Sequence, residues 1–206
     1  MPYPTKRIHF GEGFFDVYED VYEPAEDSFL FAENLEVKEG EAVLDLGTGC
    51  GILGVLAAKK GGVVTAVDLN PYAIYCAKGN AKLNGVSQEI SFLRGDLFSA
   101  LHTDAKFDLI LFNAPYLPSE KGEEETWIGR SWAGGASGRQ VVDRFILEVR
   151  VHLEPAGKVL LMQSTLTGVE ETIHAFEKQG LKAQVIAQRS LPFFETLTLI
   201  EAKAAD

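Results

Sequence analysis

The chain has 206 residues, 46% hydrophobic and 24% charged, which is apolar material enough for one domain with its own core and no need of covalent staples. Its net charge of −11, with Lys and Arg scattered, lacks the basic footprint by which nucleic-acid binders neutralise phosphates, so nucleic acid is a disfavoured partner. No apolar run approaches the roughly 20 residues of a membrane span, the N-terminus lacks the apolar centre of a signal peptide, and Cys50 and Cys76 have no metal-type spacing; together these point to a soluble protein of the reducing cytoplasm.

The predicted elements alternate along the chain. Segment 24–35, PAEDSFLFAENL, opens with Pro and carries acids in its first turn, a helix start. A strand at 42–47 (AVLDLG) is followed by helix formers at 52–60 that stop at Gly61. A strand at 63–68 precedes a helix at 70–84, in which Asn70 is the N-cap and Pro71 takes the first helical position. Strands follow at 90–95 and 107–113. Segment 137–153 then places Val141, Val142, Phe145, Ile146 and Val149 on one helical face. A strand at 157–163, a helix at 168–180 and strands at 182–188 and 196–202 complete the series, the last two joined by RSLPFFE without a helix, hence an antiparallel hairpin. Apolar strands alternating with helices predict an α/β fold in one domain spanning 1–206: a seven-stranded, mostly parallel, doubly wound, Rossmann-like sheet ending in that hairpin.

Between 117 and 136 no periodic pattern holds, and a loop of that length in a compact domain is functional or disordered. Trp127 and Trp132 argue against plain disorder; they anchor the loop or wall a substrate cleft.

VLDLGTGCGILG runs from a strand into a helix. Gly47, Gly49 and Gly51 allow a sharp turn and close approach of a ligand to the backbone, and the helix N-terminus beyond favours negative charge. Asp68, at the end of the next strand, is placed to accept from a ribose diol. Gly49 to Gly54 formally fits the dinucleotide pattern G-x-G-x-x-G. Asp45, however, suits a cationic ligand better than a pyrophosphate, and Asp96 can meet the exocyclic amine of an adenine. Three acids at three successive strand ends fit S-adenosylmethionine, with its ammonium, sulfonium, ribose and adenine amine.

The strand at 107–113 ends in Asn113, Ala114, Pro115 and Tyr116. Asn113 presents an acceptor and a donor on one plane, Pro115 stiffens the chain, and Tyr116 supplies a flat face for stacking. The quartet reads as a slot for a planar –NH₂ group, with the Asn113 side-chain oxygen and the Ala114 carbonyl each accepting one N–H. Such a slot fits a glutamine amide or an adenine or guanine amine equally well, a nicotinamide dehydrogenase predicts no such quartet, and a non-enzymatic nucleotide-sensing scaffold, which predicts cofactor binding without transfer, has Ala114 as its only support.

LDLGTGCG, VDLNP and FNAPY resemble the class I methyltransferases of the HemK type, which methylate the nitrogen of a glutamine side chain. VYEPAEDSFL (21–30) and SWAGGASGRQVVDRF (131–145) narrow the resemblance to the archaeal and eukaryotic branch, which modifies the Gly-Gly-Gln glutamine of the class I translation termination factor. The bacterial branch carries a helical N-terminal domain for which this chain leaves no room. The resemblance implies that Ser28, Asp45, Gly47, Thr48, Gly49, Asp68, Asp96, Leu97 and Asn113 hold S-adenosylmethionine, and that Asn113, Ala114, Pro115 and Tyr116 position the glutamine. It also implies a small zinc-ribbon activator subunit added along an edge strand, for which ISFLRG (90–95) is the candidate. The family's usual motif is Asn-Pro-Pro-Tyr; Ala114 keeps the carbonyl and gives up the stiffness of a double proline.

His9, His102, His152 and His174 have no ligand spacing and read as surface or packing residues. The acidic run 122–125 reads as solvated. Phe193 and Phe194 are core or an exposed docking patch. Arg139 and Asp143, four apart, form a helix-surface pair, or Arg139 pins the long loop.

Overall fold

The computed structural model of the protein describes residues 4–204, apart from the side chain of Phe193. The chain divides into two compact units, 1–101 and 102–206.

The first unit opens with a hairpin that the sequence did not suggest, β1 (Lys6–Phe10) antiparallel to β2 (Gly13–Val17) in a sheet of its own. Phe15 and Val17 are buried and Phe14 exposed, but the Phe14–Phe15 doublet hides this alternation. Next come α1 (Glu26–Glu33), β3 (Ala42–Leu46), α2 (Ile52–Lys59), β4 (Val63–Asp68), α3 (Pro71–Leu83) and β5 (Ile90–Arg94). β4 lies parallel to β3 and β5, with Leu46 opposite Val67 and Asp68 opposite Arg94. Val43 to Leu46 are all buried, as expected of a strand covered on both faces. α3 starts as predicted: Asn70 Oδ1 accepts from the Tyr72 amide at 2.9 Å, with Pro71 at the first helical position.

The second unit holds β6 (Phe107–Asn113), α4 (Trp127–Arg130), α5 (Gln140–Val149), β7 (Leu153–Ser164), α6 (Val169–Lys178), β8 (Leu181–Ser190) and β9 (Thr196–Ala204). β6 and β7 are parallel, and β9 runs antiparallel to both β7 and β8. Phe145 packs its ring 4.7 Å from Phe112 and edge-on to Phe176, joining strand and helices in one apolar core. The seven strands after the hairpin follow the order β5-β4-β3-β6-β7-β9-β8, the mixed sheet anticipated from the sequence.

The largest departures from expectation lie in the second unit. β7 begins at Leu153 and runs through Pro155 and Gly157, residues that mask a strand in sequence. α5 begins only at Gln140, after a turn closed by the Gly138 amide donating to the Gly135 carbonyl at 2.9 Å, and ends at Val149, where a short 3₁₀ turn follows. The long segment 117–136 contains α4, capped by Thr126 Oγ1 accepting from the Gly129 amide at 3.0 Å; four helical residues are too few to show a period.

Candidate active site

Between β3 and α2 the chain turns on Gly47, Gly49 and Gly51, with φ of 63°, 56° and 86°, the left-handed region that favours glycine. A Cβ on Gly51 would stand 2.9 Å from the Ala77 Cβ, so this glycine lets the loop close onto α3. A Cβ on Gly49 would meet nothing nearer than the Gly47 carbonyl at 3.9 Å; the loop is open there. Asp45 is 1% exposed, and its Oδ2 accepts from Thr48 Oγ1 at 2.6 Å and from the Gly54 amide at 3.0 Å. Gly54 lies in the first turn of α2, so this carboxylate satisfies an otherwise unpaired helix N–H and fixes the loop to its strand. Burial pushes the Asp45 carboxyl up to about 7, against the opposing pull of the Thr48 and Gly54 bonds.

The Thr48 amide donates to the Val67 carbonyl at 3.1 Å, which brings the loop beside the end of β4. There Asp68 Oδ2 accepts from the Gly49 amide at 2.9 Å and Oδ1 from the Asn70 amide at 2.8 Å. Burial raises its pKa as well. A carboxylate has about four acceptor positions, so further acceptor capacity remains. The Gly95 amide donates to the Asp68 carbonyl at 3.0 Å, bringing Asp96 next in line; its own amide donates to Ser99 Oγ at 2.9 Å. Leu97 is buried with φ of 47°, a conformation that costs a non-glycine residue on the order of 1–3 kcal/mol and concentrates at functional sites. The three acids thus stand at the C-terminal ends of three adjacent parallel strands, as anticipated.

Ser28 is buried in α1, its amide and hydroxyl donating to Asp27 Oδ1 at 2.6 and 3.2 Å. The Tyr22 hydroxyl donates to the same carboxylate at 3.2 Å. Sequence reasoning missed Asp27 and Tyr22; their presence beside Ser28 in YEPAEDS was the only signal.

In the second unit Asn113 is the last residue of β6, half-buried, with its side-chain oxygen buried. Ala114 and Tyr116 are 4% and 8% exposed, so the Tyr116 ring, expected as an open stacking face, is largely covered. The chain beyond is held by a second run: the Leu117 amide donates to the Trp132 carbonyl at 3.0 Å, the Gly134 amide to the Leu117 carbonyl at 2.8 Å, and the Ser119 amide to the Gly135 carbonyl at 3.0 Å. The Trp132 main chain thus takes part in anchoring the loop, and Trp127 lies 5.1 Å from the Arg130 guanidinium. Gly138, φ 72°, passes so close that a Cβ would fall 2.4 Å from the Tyr116 carbonyl and 2.3 Å from Thr167 Cγ2. The next residue, Arg139, directs Nη1 to the Thr167 and Gly168 carbonyls and Thr172 Oγ1 at 2.7, 2.8 and 2.9 Å, and Nη2 to Asp143 Oδ1 at 2.7 Å. The pairing with Asp143 holds, while the other guanidinium contacts of Arg139 go to the turn before α6 and not to the segment 117–136.

His9, His102 and His174 are exposed, and His152 is buried with Nδ1 2.9 Å from the Ala105 carbonyl. Among the described residues no three His, Cys, Asp or Glu side chains converge as a metal site, and no helix is long and apolar enough to cross a membrane. Phe194 is fully exposed, whereas Phe193 lies outside the described side chains.

The family model for the methyltransferase small domain matches residues 24–129. A Methanocaldococcus jannaschii chain provisionally named a protein N5-glutamine methyltransferase is 42% identical over 185 residues, covering 89% of this chain and 92% of that one. Human methyltransferase HEMK2 is 34% identical over 94% of this chain and 92% of its own. Among solved structures, the E. cuniculi Mtq2–Trm112 complex, responsible for methylation of the eRF1 translation termination factor, matches with a TM-score of 0.70 and 26% identity, over 90% of this chain and 99% of that one.

Proposed function

The chain belongs to the HemK-type class I methyltransferases, and on that premise we propose that it transfers a methyl group from S-adenosylmethionine to the side-chain nitrogen of a glutamine, that of the Gly-Gly-Gln motif in a class I translation termination factor. The observation that carries this reading is Asn113-Ala114-Pro115-Tyr116 at the end of β6, in a chain similar over nearly its whole length to a protein named for glutamine methylation.

The residues of the first unit fit the cofactor. The loop is open where Gly49 lacks a Cβ, and Asp68, which accepts from the Gly49, Leu69 and Asn70 amides, keeps acceptor capacity suited to a ribose diol. Ser28, Asp45, Gly47, Thr48, Asp96, Leu97 and Asn113 are the other residues that would hold it. When bound, S-adenosylmethionine supplies an electrophilic methyl group on a sulfonium.

The protein's own task is to hold a poor nucleophile. An amide nitrogen delocalises its lone pair into the carbonyl. Asn113 Oδ1 and the Ala114 carbonyl each take one N–H, which favours a pyramidal nitrogen and directs its lone pair toward the methyl carbon. With the cofactor bound, its methyl group would pass to this nitrogen, the sulfur would leave as a neutral thioether and the nitrogen's proton would go to solvent, so this chain needs to supply no prior general base. Ala114 stands where the family usually has Pro; it keeps the backbone carbonyl and is buried to 4% exposure.

A small zinc-ribbon activator subunit completes the proposal. β5 ends the strand order, leaving an edge for strand addition, with Ser91 and Arg94 exposed along it. Incubation with labelled cofactor against a termination factor, its Gln-to-Asn variant and structured RNA tests the assignment. Label in the factor alone, lost in the variant, supports it; label in RNA alone contradicts it.

A further inference from the structure

Asn80 in the last turns of α3 and Asn84, the residue that caps its C-terminus, stand four residues apart, a spacing that brings side chains to one side of a helix. Phe14 and Asp16 stand two apart on β2, about 6–7 Å along the strand. These spacings let each side-chain amide pair with one strand residue as a neighbouring strand would. The Asp16 amide donates to Asn80 Oδ1 at 2.8 Å, and Asn80 Nδ2 donates back to the Asp16 carbonyl at 2.8 Å. The Phe14 amide donates to Asn84 Oδ1 at 3.2 Å, and Asn84 Nδ2 donates to the Phe14 carbonyl at 2.7 Å.

The two asparagines then differ. The second hydrogen of Asn84 Nδ2 goes to the Asn80 carbonyl, within α3. That of Asn80 Nδ2 goes to the Cys50 carbonyl at 2.8 Å, between Gly49 and Gly51. Asn80 is 1% exposed, and the two carbonyls facing Nδ2 fix which way its amide points. One buried side chain thus joins the hairpin, α3 and the glycine loop. The hairpin reaches a second segment too: Phe10 stacks on Phe29, beside Ser28, with centroids 5.3 Å apart and planes 2° from parallel.

We propose that Asn80 is a positioning residue for the cofactor loop, linking it to the N-terminal hairpin so that cofactor binding and hairpin docking stabilise each other. The inference rests on the glycine loop being the S-adenosylmethionine site. Coupling of this kind is reciprocal: what tightens the loop must tighten the hairpin by the same factor.

Amide hydrogen exchange on the full wild-type chain, with and without saturating S-adenosylmethionine, tests it without any variant. Exchange at the Gly49 and Gly51 amides slows, and exchange at the Asp16 and Phe14 amides slows with it, by about fivefold or more. Protection of the loop with no change at Asp16 and Phe14 would overturn the proposal. If no amide responds to the cofactor, the reading of the loop itself fails and the proposal with it. Asn80→Ser and Asn84→Ala supply the second arm, since both loosen the hairpin and only the first releases Cys50. By calorimetry Asn80→Ser weakens cofactor binding about tenfold and Asn84→Ala by no more than about threefold; equal effects would remove Asn80 as the link.

Discussion

Gly49 and Asp68 are joined by a 2.9 Å hydrogen bond from the loop amide to the carboxylate at the end of β4. The same carboxylate holds the Asn70 amide, so one side chain sets the first two strand-to-helix turns against each other. Asp68→Ala removes both bonds and the proposed ribose acceptor. Cofactor affinity should fall about 10–100-fold, since hydrogen bonds to charged groups are worth about 1.5–3 kcal/mol. Calorimetric titration checks this, and unchanged affinity would exclude the ribose role.

Asp45 gives a pH signature. Its carboxyl is pushed by burial from 3.8 to about 7. Between those values the folded protein holds a proton that the unfolded chain has released. Acidification through that window therefore favours the folded state, and the contribution is lost as pH rises through about 7. Asp45→Asn keeps an acceptor for Thr48 and Gly54 and removes the titration. Denaturant unfolding from pH 5 to 8 should show wild type losing stability relative to Asp45→Asn as pH rises, by on the order of a few kcal/mol. Parallel profiles would show that Asp45 does not titrate in this window.

Asn113→Ala should leave the fold near wild type while turnover at saturating cofactor falls at least about 100-fold, the effect of removing a preorganised polar contact to the reacting group. Single-turnover kinetics with calorimetry on the same preparation separates turnover from cofactor binding. Turnover within about threefold of wild type would contradict the slot.

Gly138 and Arg139 should matter although neither belongs to that quartet. Gly138→Ala places a methyl within 2.4 Å of the Tyr116 carbonyl at a backbone conformation that disfavours alanine. Arg139→Ala frees the Thr167 and Gly168 carbonyls and Thr172. Each should destabilise by about 1–3 kcal/mol and raise the KM for the protein substrate more than that for the cofactor. Equal changes in the two KM values would mean that the loop does not serve the substrate side.

How much of this could be read from sequence differs by element. The glycine loop was legible because alternate glycines state a need for positive φ, and α3 because Asn70-Pro71 is a start signal independent of packing. The three acids were legible through their positions after apolar runs. The hairpin was not, since adjacent phenylalanines blur its period. Asn80 was invisible for another reason: its partner Asp16 lies 64 residues away, and a mid-helix asparagine carries no local mark of what it faces. The roles of Gly138 and Arg139 were half-visible, because a Gly-Arg pair before a helix announces a turn and not the carbonyls beneath it.

The central claim is that a glutamine amide is the methyl acceptor. Tandem mass spectrometry of a termination factor treated with this protein, with and without the proposed activator, and S-adenosylmethionine tests it most directly. The account predicts a single added methyl on the side-chain nitrogen of the Gly-Gly-Gln glutamine, absent with Asn113→Ala. A methyl group on any other residue type, with that glutamine unmodified, would contradict it.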